Sequence, residues 1–179
     1  MYLGFVTKSS LMPFDTLGLS LSPMWKKRVA IRHSHQVYGL EDSQERSFTN
    51  LHEYNSTQKL RLGFLSHDFN DHPTAHLMEG LFYWNNISSS SMVEFVAYSY
   101  GKNDNSTYRK KIESLVGGDA EKGGNFFDLS AFSYDDTVKT IHEDKPHIVF
   151  DLQGYTRGGR PEITSKRVAP IQVNYLGEA

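Results

Sequence analysis

The chain has 179 residues, no cysteine and a formal net charge of -2 at pH 7, and 38% of its residues are hydrophobic. This length suits one domain, or one domain with an appendage, and the near-neutral charge argues against nucleic acid or anionic membrane as a partner. The lack of cysteine excludes disulfides, thiolate nucleophiles and cysteine-based zinc sites, and no apolar run reaches the roughly 20 residues of a membrane span.

The amino-terminal part of the chain carries one helix signal. Ser22 is a favoured helix-capping residue, Pro23 suits a first helical turn, and no helix breaker interrupts the chain from Met24 to about Tyr38. Residues 41–58 are polar and predict a linker. This part has too few apolar residues for a core of its own. We therefore interpret 1–58 as a helical lead-in and linker that precede one domain over 59–179.

From Leu60 onward, strand signals alternate with helix signals. The predicted strands are 60–66, 93–100, 126–129, 147–152 and 171–176, and the predicted helices are 73–83, 106–116, 134–143 and 161–167. This alternation is typical of right-handed βαβ crossovers, which produce a parallel sheet with helices on both faces. The predicted fold class is therefore α/β: a Rossmann-like, doubly wound, mostly parallel sheet. In such sheets, ligands bind beyond the carboxyl ends of the strands.

The segment after the first predicted strand is rich in groups that transfer protons. It contains three histidines and two aspartates: His67, Asp68, Asp71, His72 and His76. His72 directly precedes a predicted helix, whose macrodipole favours a neutral imidazole that can accept a proton or hydrogen bond from a hydroxyl. Asp68 can accept a proton too, or can orient His72. The alternative is that an aspartate caps the helix while the histidines only fill space.

A metal site is the other chemistry that these histidines allow. His72 and His76 stand at the i, i+4 spacing of two zinc ligands on a helix. No glutamate follows the first histidine, and a third ligand would have to be Asp68 or a distant group. We therefore expect no metal site.

A second candidate segment, residues 151–160, follows the fourth predicted strand. It combines three glycines with hydrogen-bonding side chains, and Arg157 or Arg160 could supply positive charge to a ligand oxygen or phosphate. The segment matches neither the dinucleotide-binding glycine pattern nor a P-loop. A tight turn that leads into the next helix explains it equally well.

Five segments together resemble one family. Residues 60–177 are similar to the first lobe of the catalytic region of the protein O-linked N-acetylglucosamine transferases, which include the plant SECRET AGENT and SPINDLY relatives. The segments that carry this resemblance stand in the family's order; they are residues 61–69, 72–78, 141–148, 151–158 and 167–177. The helix over 23–34 resembles the helix that leads into this lobe, although less strongly.

The resemblance implies a two-lobed GT-B glycosyltransferase that needs no metal or cofactor. It would move N-acetylglucosamine (GlcNAc) from the donor UDP-GlcNAc to Ser or Thr hydroxyls of acceptor proteins by an inverting, in-line attack. By position, His72 corresponds to the family's active-site histidine, considered as a base, and Asp68 to the aspartate proposed to help accept the proton. Pro73 and Thr74 would line the sugar-phosphate region, and Leu176 with Gly177 would line the pocket near the N-acetyl group. A cytoplasmic and/or nuclear location follows, with no nucleic-acid or membrane partner.

Three departures from the family pattern limit what the resemblance implies. The family has a histidine near the amino end, where this sequence reads Pro13-Phe14-Asp15, and the chain ends at Ala179 before the family's continuation. The second lobe and the tetratricopeptide repeats have no counterpart in these 179 residues. We expect this lobe to need its carboxyl-terminal partner lobe and to transfer no sugar alone. The alternatives are a SPINDLY-type protein O-fucosyltransferase, or an inactive lobe that serves as an interaction module.

Overall fold

Five strands and five α-helices make up the described part of the chain. The computed structural model describes residues 11–38, 58–88 and 92–177. The strands are β1 (Leu60–Ser66), β2 (Val93–Ser99), β3 (Phe126–Asp128), β4 (Ile148–Asp151) and β5 (Ile171–Asn174). The helices are α1 (Pro23–Tyr38), α2 (Pro73–Ile87), α3 (Thr107–Leu115), α4 (Tyr134–Asp144) and α5 (Pro161–Ser165).

These elements confirm the predicted order of strands and helices. The ends differ by one or two residues in most cases, and α2 runs four residues past its predicted end at 83. Of the linker predicted over 41–58, residues 41–57 lie outside the described residues, and the boundary between 58 and 59 stays a prediction. Among the described helices, none is both long and apolar enough to cross a membrane.

The five strands form one parallel sheet in the order β3-β2-β1-β4-β5. The chain first builds outward from β1 to β3 and then returns to the other side of β1. The reversal therefore lies between β1 and β4, which are direct neighbours. A crevice opens beyond the carboxyl ends of the strands at such a reversal, and this crevice is where doubly wound sheets bind ligands.

Alternate residues of β1 build two separate cores because successive strand side chains point to opposite faces of a sheet. Phe64 belongs to the core that contains Phe82 of α2 and Ile112 of α3. Leu65 belongs to the core that contains Ile141 of α4 and Ile163 of α5. Helices thus cover both faces, which confirms the doubly wound α/β class.

Helix α1 lies against the part of the domain that follows β4. It contacts α5, and the buried ring of His33 meets Tyr155 edge to face, with 5.4 Å between ring centroids. Burial lowers the pKa of His33, and the nearby charge of Glu162 raises it by a smaller amount. The lead-in helix therefore packs beside the loop that forms the second candidate segment.

Helix α2 carries two apolar stripes. His76, Leu77, Gly80 and Leu81 share a face, as their spacing predicts, but this face is exposed. The buried stripe consists of Ala75, Met78 and Phe82. The ring of Phe82 meets Phe64, Phe69 and Phe95 at angles typical of aromatic cores, which explains why this stripe faces the sheet.

Two aromatic truncations on α2 test this orientation. Phe82 is fully buried, whereas Trp84 is 68% exposed. We expect Phe82→Ala to lower the free energy of unfolding by about 3–5 kcal/mol, because it opens a cavity in the core. Trp84→Ala should change it by only about 0.5 kcal/mol. Urea titration of both variants measures the difference, and equal losses would contradict the assignment of the buried face.

Candidate functional site

The two segments chosen from the sequence meet at the carboxyl ends of β1 and β4. Residues 67–72 follow β1 and lead into α2, and residues 152–160 follow β4 and lead into α5. Because β1 and β4 are neighbours at the reversal of strand order, their loops face each other. The structure thus joins into one site what the sequence offers as two.

Asp68 is the centre of this site. Its side chain is only 13% exposed, and its two carboxylate oxygens have different partners. Oδ1 lies 2.8 Å from His67 Nδ1. Oδ2 accepts a hydrogen bond of 2.7 Å from Gln153 Nε2 and lies 3.5 Å from His72 Nδ1. Asp68 is therefore held by an imidazole and an amide, with the ring of His72 nearby, and it does not cap α2.

Gln153 links the two loops. Its side-chain Nε2 shares two hydrogens among three acceptors, which are Asp68 Oδ2, Thr156 Oγ1 at 2.9 Å and the carbonyl of Arg157 at 3.1 Å. Ser66 Oγ donates to Gln153 Oε1 at 3.3 Å from the end of β1. Gln153 is nearly fully buried, so these partners fix its amide in one orientation. That orientation presents an N–H, rather than a carbonyl, to Asp68.

His72 is the residue that caps α2. Its Nδ1 accepts a hydrogen bond from the backbone amide of Thr74 at 3.2 Å, and Thr74 Oγ1 lies at the same distance. The neutral imidazole therefore carries its proton on Nε2. His72 stands at the positive end of the α2 macrodipole with a ring that is 45% exposed. It can donate a hydrogen bond from Nε2 to an anionic ligand.

The other predicted substrate-binding residues occupy the same edge of the sheet. Pro73 is exposed in the first turn of α2, beside Thr74. Gly177 lies so close to the loop after β4 that a Cβ there would stand 2.4 Å from the carbonyl carbon of Gln153. Leu176 is 46% exposed and adopts a left-handed backbone conformation with φ of 67°. Their roles toward a donor sugar stay predictions.

Three other residues named from the sequence have different surroundings. The Arg160 guanidinium lies over the ring of Tyr100, 5.8 Å from its centroid, and 3.6 Å from Glu162. Arg157 is exposed and enters the site only through its carbonyl group. Asp15 is exposed in the turn at Phe14–Thr16, where its carboxylate accepts from the amide of Met12 at 3.1 Å.

His72 and His76 are engaged by different partners. His76 Nε2 lies 2.9 Å from Asp71 Oδ1, and its ring stacks on Tyr108 with 3.7 Å between centroids. His72 faces Asp68 instead. Within residues 11–38, 58–88 and 92–177, no group of three histidine, aspartate or glutamate side chains is arranged to hold a metal ion.

Two buried ionisable groups lie beneath the site. Burial raises the pKa of the Asp151 carboxyl, although the backbone amides of Gln153 and Gly154 donate to it at 2.9 and 3.1 Å. Burial also raises the pKa of Tyr100 well above its ordinary value, and the nearby charge of Asp151 adds to this. At both groups, burial therefore disfavours the charged form.

Sequence reasoning missed two features of the site. His67 was one of several histidines in a rich segment, and its contact with Asp68 came from no pattern. Gln153 belonged to the second segment, and its bond to Asp68 joins residues 85 positions apart. The only available signal was topological: polar residues that follow neighbouring strands lie at one edge of the sheet.

Comparison with known proteins identifies the family of this chain. Residues 7–179 match glycosyl transferase family 41. The chain is 32% identical over 174 residues to the probable UDP-N-acetylglucosamine–peptide N-acetylglucosaminyltransferase SEC of Arabidopsis thaliana, which covers 94% of this chain and 17% of that protein. It is 36% identical over 121 residues to the UDP-N-acetylglucosamine–peptide N-acetylglucosaminyltransferase of Caenorhabditis elegans. This match covers 67% of this chain and 10% of that protein. The chain therefore spans less than a fifth of the length of these relatives.

A solved structure shows the same fold. The O-GlcNAc transferase of Thermobaculum terrenum, in a K341M mutant form, superimposes with a TM-score of 0.58 at 18% sequence identity. The match covers 69% of this chain and 22% of the other chain. The architecture described above is thus that of part of a GT-B glycosyltransferase.

The raised pKa of Asp151 predicts how stability depends on pH. The folded chain binds the Asp151 proton more tightly than the unfolded chain, so this residue's contribution is fully present below the unfolded pKa and is lost as the pH rises through the folded pKa. Asp151→Asn keeps an oxygen for both backbone amides but cannot ionise. We expect this variant to become more stable relative to the unsubstituted chain as the pH rises from about 3 to 7.

Urea titrations at several pH values measure this change. Glu143→Gln is the matched control because it removes an exposed carboxylate at the end of α4, where Lys139 lies 3.9 Å away. If the stability of Asp151→Asn relative to the unsubstituted chain does not change with pH, or changes in the opposite direction, the assignment is wrong.

Proposed function

This chain belongs to glycosyl transferase family 41, and we propose that it forms the acceptor-side lobe of an enzyme that glycosylates proteins. The proposed reaction moves GlcNAc from UDP-GlcNAc to Ser or Thr hydroxyls and inverts the anomeric carbon. The observation that carries the proposal is the Asp68 carboxylate, held between His67, His72 and Gln153 at the reversal of strand order. Proton-transfer groups thus converge where this fold binds ligands.

The chemistry of the proposed reaction makes two demands on the site. The attacking hydroxyl must lose a proton, and negative charge must be stabilised as it develops on the leaving diphosphate. Asp68 meets the first demand, as proton acceptor or through a base that it orients. His72 meets the second, because its Nε2–H stands at the amino end of α2, where both a donor and the helix macrodipole favour an anion.

The names of similar proteins support UDP-GlcNAc as the proposed donor. The A. thaliana and C. elegans relatives are both named for transfer from UDP-N-acetylglucosamine. The GDP-fucose of a SPINDLY-type O-fucosyltransferase stays the alternative, because the SPINDLY relative of A. thaliana carries the same UDP-N-acetylglucosamine name. Leu176 and Gly177 would meet the N-acetyl group, and Pro73 and Thr74 the sugar phosphate. The proposed reaction uses no metal or further cofactor, and its acceptors are proteins of the cytoplasm and/or nucleus.

A chimera tests this function directly. This chain replaces the matching 174 residues of the A. thaliana relative, and the purified protein is incubated with UDP-GlcNAc and a Ser/Thr peptide. Addition of one N-acetylhexosamine to the peptide, measured by mass spectrometry, supports the proposal. An inactive chimera, with the unchanged relative active beside it, would favour the interaction-module alternative. The 179-residue chain, assayed alone, is expected to transfer no sugar.

Substitutions in the active chimera test the two residues assigned from the sequence. His72→Asn keeps a side chain that caps a helix but removes the imidazole, and Asp68→Asn removes the carboxylate. We expect each to lower kcat/KM by about 100-fold or more: His72→Asn because it removes a hydrogen-bond donor for the leaving diphosphate, and Asp68→Asn because it removes the carboxylate that accepts the proton or orients the base. His76→Gln is the control, because His76 pairs with Asp71 outside the site. Rates within about twofold of the unsubstituted chimera for both site variants would refute these roles.

A further inference from the structure

The two imidazoles beside Asp68 have opposite protonation patterns. An ionised carboxylate only accepts hydrogen bonds, so His67 Nδ1, which lies 2.8 Å from Asp68 Oδ1, must carry the hydrogen. The lone pair of neutral His67 is therefore on Nε2. In neutral His72 the hydrogen is on Nε2 and the lone pair is on Nδ1, because Nδ1 accepts a hydrogen bond from the amide of Thr74.

The unprotonated nitrogen of His67 is available to a ligand. The side chain is 41% exposed, and Nε2 makes no hydrogen bond within the described part of the chain. The Nε2 of His72 instead bears a hydrogen and cannot accept a proton while the ring is neutral. Of the two neutral imidazoles, His67 is the one whose exposed side chain has an unprotonated Nε2.

The ring of His67 is also held in place by its surroundings. A Cβ on Gly158 would stand 3.0–3.1 Å from three of its ring atoms, so the glycine allows the ring to lie directly against the loop. Tyr100 packs against the ring edge to face, with 5.9 Å between centroids. Gly101 lies against the His67 carbonyl so closely that a Cβ there would be 1.8 Å from the oxygen. These contacts fix both the backbone and the ring.

Asp68 itself is less suited to accept the proton. Both of its oxygens already accept hydrogen bonds, Oδ1 from His67 and Oδ2 from Gln153 at 2.7 Å. A carboxylate that holds an imidazole by Nδ1–H sets its tautomer and stabilises the imidazolium that forms when Nε2 takes a proton. Asp68 stands in that relation to His67.

We infer that His67 is the general base of the proposed transfer, that Asp68 positions it, and that His72 serves as a hydrogen-bond donor. This inference rests on the proposed function. The acceptor oxygen forms a bond to the anomeric carbon while the bond from that carbon to the diphosphate oxygen breaks. The hydroxyl proton passes to His67 Nε2, and the electron pair of the broken bond leaves on UDP, to which His72 Nε2–H would donate a hydrogen bond.

The first test measures the tautomers in the 179-residue chain, by two-bond ¹H–¹⁵N NMR spectra of the imidazoles at a pH where both are neutral. We expect hydrogen on Nδ1 of His67 and on Nε2 of His72. In Asp68→Asn, Gln153 still donates to the side-chain oxygen, so the new NH₂ group faces His67 Nδ1. The hydrogen of His67 should then move to Nε2, while His72 keeps its tautomer.

The matched control for this test is Asp71→Asn. Asp71 is an exposed carboxylate that pairs with His76, and its loss should leave the His67 tautomer unchanged. Finding the Nε2–H form of His67 in the unsubstituted chain would overturn the inference. So would a tautomer that Asp68→Asn does not change.

The second test uses the active chimera. We expect His67→Gln to lower kcat/KM by about 10²–10⁴-fold and to abolish the fall of kcat/KM at acid pH that protonation of the base causes. His72→Asn should lower the rate but keep this acid limb. An acid limb that persists in His67→Gln overturns the role of His67 and leaves the proposed function standing. A chimera that transfers no sugar overturns the proposed function itself, while the NMR spectra still decide the tautomers.

Discussion

The hydrogen bond from Gln153 Nε2 to Asp68 Oδ2 is the interaction on which the site depends. It spans 2.7 Å between the loop after β4 and the loop after β1, and its acceptor is a largely buried carboxylate. Hydrogen bonds to charged groups contribute about 1.5–3 kcal/mol, more than neutral ones. Because Gln153 occupies Oδ2, the other oxygen is left for His67. One amide thus sets the direction of the carboxylate and, through it, the tautomer of an imidazole.

The elements of the fold could be predicted because their signals are local. Pro73 after a polar loop marks the start of α2, and the apolar run Ile148-Val149-Phe150 marks the strand β4. The buried face of α2 could not be predicted with the same ease, because Leu77 and Phe82 belong to two apolar stripes on one helix. The three aromatic side chains that surround Phe82 decide between the stripes, and two of them come from different strands.

The site could be predicted only in outline. The topology indicates that loops after neighbouring parallel strands converge, but it does not state which side chains meet. Asp68 and His72 stand out by residue type, whereas Gln153 is an amide in a glycine-rich turn and offers no signal of its own. The tautomers of the histidines are even harder to predict from the sequence, since they depend on which hydrogen bond each Nδ1 makes. His67 and His72 are five residues apart, yet a carboxylate fixes one tautomer and a backbone amide fixes the other.

The resemblance to the O-GlcNAc transferases places a histidine where this chain has Asp15. Asp15 is an exposed carboxylate that accepts a hydrogen bond from the amide of Met12 in its own turn. Proton transfer near neutral pH is a task for which imidazole is suited and an ordinary exposed carboxylate is not. His67 supplies an imidazole from a different element, the end of β1, where a rigid strand, two glycines and Asp68 hold it. If His67 is the base, an aspartate at position 15 in place of the family's histidine is compatible with catalysis. The proton acceptor then does not come from the amino-terminal segment.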